Sequence, residues 1–178
     1  LKTLLIFSLI LISLETNLKG RTRLYNEKVI SSSLTTAIAQ DSRGYIWIGT
    51  EYGLNRFDGI SFKEYLHNDN DPSSIKSNIV RSMLNDEEGR LWVGYLNGLQ
   101  LYDPMTESFK NVSFGTLKET PNIANIYQMA SGKIWVEVSM LGIYEIDPET
   151  MSFGGLGHGI CDIDTGMLMP MKNGNIVD

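Results

Sequence analysis

Gly44-Tyr45-Ile46-Trp47-Ile48 is answered by Gly89-Arg90-Leu91-Trp92-Val93 and again by Gly132-Lys133-Ile134-Trp135-Val136. One short phrase is thus written three times, with its tryptophans 45 and then 43 residues apart. A period of about 40–50 residues with strand-like content between the landmarks is the mark of β-propeller blades. Other landmarks keep the same register. Gly53, Gly98 and Gly142 are spaced by 45 and 44, as are Asp58, Asp103 and Asp147. Phe62, Phe109 and Phe153 are spaced by 47 and 44.

Working outward from Trp47, each unit reads as four short strands. The first has apolar runs at Thr35 to Gln40, Tyr45 to Gly49, Leu54 to Phe57 and Ile60 to Tyr65. Turn residues separate them, among them the two-residue hairpin Asp58-Gly59. His67 to Asn78 is rich in Asn, Asp, Ser and Pro and reads as a surface loop between units. The expected fold is all-β, a partial propeller of about three four-stranded blades plus the start of a fourth. The blades fall at about residues 34–78, 79–122 and 123–160, with the fourth opening over 161–178 at Gly174-Asn175-Ile176-Val177. Thr22 to Ile30 reads as one further weak strand. Gly154 to Gly159 reads as a flexible connection between blades three and four, since it lacks the following Lys and Ser or Thr of a phosphate loop.

Composition narrows the function classes. The chain has 178 residues, 42% of them hydrophobic, with 17 glycines, which suits one ordinary domain of short strands and tight turns. The net charge of −6 offers no basic stripe for phosphates, so a nucleic-acid partner is not expected. Cys161 is the single cysteine, excludes a disulfide within the chain, and reads as a small buried hydrophobe. At the N-terminus, Lys2 precedes the apolar run Leu4 to Leu14, which is short for a membrane span and matches a signal peptide over residues 1–20. An uncleaved anchor is the alternative. No cysteine follows the run for lipid attachment. The opening Leu1, in place of Met, is read as an unusual start or an incompletely read gene.

The repeated residues have physical roles. A blade buries both faces against its neighbours, and Trp47, Trp92 and Trp135 are expected to fill the gaps between blades. The alternative, a platform for stacking sugars, is disfavoured by their apolar strand setting. Gly44, Gly89 and Gly132 are expected to take the positive φ that closes the turn before each tryptophan strand. Asp41 and the Asn85-Asp86 pair can cap these turns, and blade three has Ala130-Ser131 in their place. An acid missing from one copy argues against a repeated metal site. Asp69-Asn70-Asp71 and Asp162-Ile163-Asp164 lack the spacing of a calcium loop and read as solvated. His67 and His158 stand in loops with no partner motif. Asn111-Val112-Ser113 matches a glycosylation triplet too common to weigh. No catalytic, metal or cofactor residue is expected, and ligand contacts are not nominated.

The strings Gln40 to Thr50 with Gly53 to Gly59, and Asp86 to Gly94 with Gly98 to Asp103, closely resemble the two-component regulator propeller repeat. The third copy departs from it: Glu137 replaces the glycine after Trp-Val, and Glu145-Ile146-Asp147 stands for the aromatic-Asp pair. The likeness covers about residues 22–153. It implies the periplasmic sensor region of a hybrid two-component histidine kinase, recognising an oligosaccharide and controlling polysaccharide-utilisation genes. In that layout two seven-bladed propellers and a β-sandwich precede a membrane span, a kinase and a receiver. Here no second apolar span and no kinase sequence follow, and closing a ring takes about four to eight blades. The chain is therefore expected to be a fragment that self-associates, with membrane contact only through an uncleaved leader or a span further downstream. The alternatives are a secreted propeller lyase or glycosidase and a structural interaction module. Fold alone does not decide among these.

Overall fold

The computed structural model of the chain describes residues 30–115, 117, 120–157, 159–162, 167–172 and 175–176, and from residue 156 onward the backbone alone. The first blade is β1 (Thr35–Gln40), β2 (Ile46–Thr50), β3 (Gly53–Phe57) and β4 (Phe62–Tyr65). The second is β5 (Val80–Asn85), β6 (Leu91–Tyr95), β7 (Gly98–Asp103) and β8 (Ser108–Asn111). The third is β9 (Ile123–Gln128), β10 (Ile134–Val138), β11 (Gly142–Ile146) and β12 (Phe153–Gly157). Each is an antiparallel meander with strands paired in chain order. β13 (Gly159–Asp162), β14 (Met167–Lys172) and β15 (Asn175–Ile176) make a three-stranded sheet. The described residues contain no helix.

The blades pack face to face, with β1 beside β5 and β5 beside β9, so the first strand of each blade lines the inner side of the array. Position along the array sets burial. All five residues of β6, in the central blade, are buried, whereas β1 is mostly exposed. Between blades one and two, Trp47 and Leu54 pack with Leu91, Val93, Tyr102 and Phe109. Between blades two and three, Trp92 and Leu99 pack with Ile134, Val136, Val138 and Ile146. A propeller core is therefore divided among its interfaces. Burying one tryptophan removes about 150–250 Å² from water, roughly 4–6 kcal/mol as an upper estimate.

Close approach of the inner strands depends on two glycines. A Cβ on Gly49 would lie 2.5 Å from Val80 Cγ1, and one on Gly94 would lie 2.6 Å from Ile123 Cγ2. Val80 and Ile123 open the first strands of the following blades, so the glycine after Trp-Ile or Trp-Val is the seat of the next blade. The third blade has Glu137 there, hydrogen-bonded by Asn125 Nδ2 at 2.7 Å.

Two details differ from the sequence reading. Phe153–Gly157 is the fourth strand of blade three, paired with β11, and not the flexible connection expected over Gly154 to Gly159. The position matching Asp41 and Asp86 in blade three is Met129, not Ala130-Ser131. Met129 N–H donates to Lys133 O, and Gly132 N–H donates to Met129 O, repeating the turn at Asp41 and Gly44. In the fourth unit β14 lies 44 residues beyond β9 and pairs with both β13 and β15, all but the first two residues of β13 lying within the expected span of 161–178. The proposed leader, the strand over Thr22 to Ile30 except its last residue, His158, and Asp164 of the second acidic triplet lie outside the described residues, as do Gly174 and Val177.

Candidate functional site

The repeated residues all serve the packing. Trp47 and Trp92 are fully buried and Trp135 is 8% exposed. Each indole N–H donates to a carboxylate. Trp47 Nε1 reaches Asp41 Oδ2 at 3.0 Å, and Trp92 Nε1 reaches Asp86 Oδ2 at 2.9 Å. In blade three the acid comes from another strand: Trp135 Nε1 donates to Glu145 Oε2 at 3.0 Å, and Glu145 is its cross-strand partner on β11. Burial acts to raise the Asp41 carboxyl, but hydrogen bonds from Trp47, Tyr45 and Arg43 outweigh it and hold the acid below its ordinary value. The turn glycines Gly44, Gly89 and Gly132 have φ of 85°, 78° and 80°. Gly53, Gly98 and Gly142 likewise have positive φ at the turns that open β3, β7 and β11. Asp58, Asp103 and Asp147 cap the turns after those strands, accepting from backbone N–H groups of Ile60 and Ser61, of Met105, and of Glu149 and Thr150. Asp41 and Gly89 border one of the two inter-blade clefts described below, and Gly132 and Asp147 border the other.

A different set of residues forms a polar cleft of about 320 Å³ on the rim that carries the connection between blades one and two. Gln100, in the middle of β7 and 1% exposed, anchors that connection. Its Oε1 accepts from Lys76 N–H at 2.9 Å, and its Nε2 donates to Ser74 O at 3.2 Å and Asn111 Oδ1 at 3.1 Å. Asn97, on the β6–β7 turn, donates to Lys76 O at 3.4 Å. His67, Asn68, Asp69 and Asp71 supply the loop wall. The repeat explains the anchor. Asn55 occupies the same place in β3, is 1% exposed, accepts from Ser31 N–H and donates to Ser31 Oγ. An amide in the third strand therefore fastens the segment entering each of the first two blades. Blade three has Tyr144 there, stacked on Phe153 with ring centroids 4.9 Å apart.

Two further clefts, of about 230 and 400 Å³, lie between neighbouring blades beside the turns that precede the tryptophan strands. Their polar groups are largely committed to holding blades together. Arg90 binds Asp86 at 2.6 Å and Glu149 of the next blade at 2.6 Å, and Lys133 pairs with Asp147. The linker cleft brings together four amides, from Asn68, Asn97, Gln100 and Asn111, with His67 and the charged Asp69, Asp71 and Lys76. Among the described residues no group of three or more His, Cys, Asp or Glu side chains could hold a metal ion. His67, Asp69 and Asp71, all within the loop read over His67 to Asn78, line this cleft. Gln100 and Asn97 were missed. The one signal for Gln100 was an amide inside the apolar string Leu99-Gln100-Leu101, repeating Asn55 at a spacing of 45.

The family described as two component regulator propeller matches residues 29–52 and 74–97, the tryptophan-bearing halves of blades one and two. A 46-residue stretch is 48% identical to histidine kinase P4 of Formosa agariphila, covering 26% of this chain and 3% of the kinase. Among solved structures, the extracellular domain of BT3049 from B. thetaiotaomicron, described as a hybrid two component system, aligns with a TM-score of 0.68 at 26% identity over 76% of this chain and 20% of that one. The extracellular domain of BT4673 from the same organism, described as a one component system, aligns at 0.62 and 22% identity over 82% of this chain and 23% of that one, which shows the fold. The chain thus spans less than a quarter of each of these relatives. A catalytically inactive virginiamycin B lyase from Staphylococcus aureus, at a TM-score of 0.53 and 16% identity over 78% of this chain and 45% of that one, likewise shows the fold alone. No helix among the described residues is long and apolar enough to cross a membrane.

Proposed function

From a chain that carries two-component regulator propeller repeats, we propose that it serves as an extracytoplasmic, ligand-binding part of a hybrid two-component sensor and acts by binding rather than catalysis. The observation that carries this reading is the alignment with the extracellular domain of BT3049 across 76% of the chain. The lining of the linker cleft supports one ligand class. Asn97, Asn111 and Asn68 line it with amides that both donate and accept, while the buried Gln100 amide is spent on Lys76, Ser74 and Asn111 and holds the wall in place. Such a lining matches the hydroxyls of a neutral oligosaccharide better than an anion or an apolar molecule. The downstream response expected of such a sensor is control of polysaccharide-utilisation genes, and its place is the periplasm.

The test is a panel of neutral oligosaccharides against the full chain by glycan array, followed by titration calorimetry. We expect one class to bind, and Asn97→Ala with Asn111→Ala to weaken it about tenfold, the cost of roughly one lost hydrogen bond. A folded chain that binds no member of the panel, or a double variant that binds undiminished, would overturn the assignment. The lyase alternative has only the fold in its favour.

A further inference from the structure

His67 is held between two oxygens, neither of which can donate a hydrogen bond. Its Nδ1 lies 2.7 Å from the Ile75 carbonyl oxygen and its Nε2 lies 3.0 Å from Asp69 Oδ1. A neutral imidazole has one N–H, so in that form one contact would set a ring lone pair against an oxygen lone pair. The imidazolium alone donates to both. The residue is also fixed through its backbone, whose N–H donates to Asn78 Oδ1 at 2.7 Å. These contacts join the two ends of the loop that walls the polar cleft. Within it, Asp71 N–H donates to Asn68 O, Ser74 N–H to Asp71 O, and Asn68 N–H to Ser74 Oγ.

We propose that His67 is a proton-operated clasp: in its doubly protonated form it fastens the linker loop over the cleft, and on losing a proton it lets the loop open, so that access to the cleft follows pH. The charged groups lining the cleft with it are Asp69, Asp71 and Lys76, all on the linker itself. From the packed blade, β7, β8 and the β6–β7 turn contribute only the uncharged Gln100, Asn111 and Asn97. Asp71 is engaged by Ser73, through both its backbone N–H and its hydroxyl. No cation therefore stands against the imidazolium from the blade side. The Ile75 carbonyl raises the His67 pKa above its ordinary 6.5, slight desolvation opposes this, and Asp69 adds to the rise. An isolated exposed ion pair does little. Here the charge is coupled to a backbone carbonyl, and so to loop closure. Because the closed-loop pKa is the higher one, the clasp is fully fastened below 6.5 and is lost as pH rises through the raised value.

The test is NMR of the full chain. The His67 ring nitrogens are followed against pH, together with exchange of the Lys76 amide, which is bonded to Gln100 Oε1. We expect His67 to titrate above 6.5 and the Lys76 protection factor to fall through the same pH. The drop should be about tenfold for each unit of elevation. Asp69→Asn should lower that midpoint, and His67→Gln should abolish the step while leaving the blades folded. A midpoint at or below 6.5, protection that is flat with pH, or an Asp69→Asn variant that titrates like the parent would overturn the clasp. The consequence for binding rests on the cleft being the ligand site. A panel that yields no ligand at any pH, with the step intact, removes the sensor reading and leaves the clasp standing. A ligand bound equally tightly on both sides of an intact step removes the link to access.

Discussion

Gly94 carries no side chain because its blade needs none there and the next blade needs the space. A Cβ at this place would come 2.5 Å from Ser82 Oγ and 2.6 Å from Ile123 Cγ2. Ile123 is fully buried and branched at Cβ, so it has little room to yield. Gly94→Ala is expected to cost about 1–3 kcal/mol, the usual penalty for overpacking. In urea the unfolding midpoint should fall with the slope unchanged. A midpoint equal to the parent's would mean that β9 moves freely against β6. The tryptophan slot beside this glycine could be read from the sequence, because a large apolar residue recurring at one period has few other uses. The cleft could not. Gln100 and Asn97 are polar residues in or beside strands, and such residues ordinarily read as solvent-facing positions. Only the folded chain shows that Gln100 is buried and bound to a segment 24 residues upstream.

Among the elements, the strands were legible wherever turn chemistry punctuated them. Asp58-Gly59 and Asn97-Gly98 mark the β3–β4 and β6–β7 hairpins, with Gly98 already the first residue of β7. β12 was not legible, because Gly154, Gly155 and Gly157 carry no strand preference. Its pairing comes from a partner: Gly155 lies opposite Tyr144, whose ring would meet an added Cβ at 3.2 Å. The turn aspartates give the elements a common response to acid. Asp103 is lowered to about 2, first by Lys110 and then by the Met105 N–H. Asp147 is lowered to about 2, first by Lys133 and then by the N–H groups of Glu149 and Thr150. Asp58 is also lowered, by Ser61 and Ile60. Depressed acids stabilise the fold fully above their ordinary value of 3.8 and lose that contribution as pH falls through the folded values. The thermal midpoint, followed by circular dichroism, should therefore hold steady down to about pH 5 and fall between about 4 and 2. A midpoint unchanged to pH 2 would show that these turns contribute nothing.

For the whole molecule, the decisive fact is that its blades are not equally covered. Ile38 in β1 stands opposite Ile48, as Met83 stands opposite Val93 and Ile126 opposite Val136. Val93 and Val136 are fully buried against the preceding blade, and Ile126 is 7% exposed. Ile38 is 68% exposed and Leu34, just before it, 57%. An apolar patch of this kind on a sheet face invites association. The chain is expected to self-associate in solution, and Ile38→Lys to shift it toward monomer, as read by size-exclusion chromatography with light scattering. A monodisperse monomer of the parent chain would sink this expectation. The indole bonds bear on how such arrays are counted. The family's pattern is recognised over the first two units and not over the third, whose acid has migrated from the turn before the tryptophan to Glu145 on the neighbouring strand. The bond survives the migration, so the third unit is still a blade. A census of propeller repeats that looks for the written motif will come up short wherever this exchange has occurred. One that asks which oxygen receives the indole proton will not.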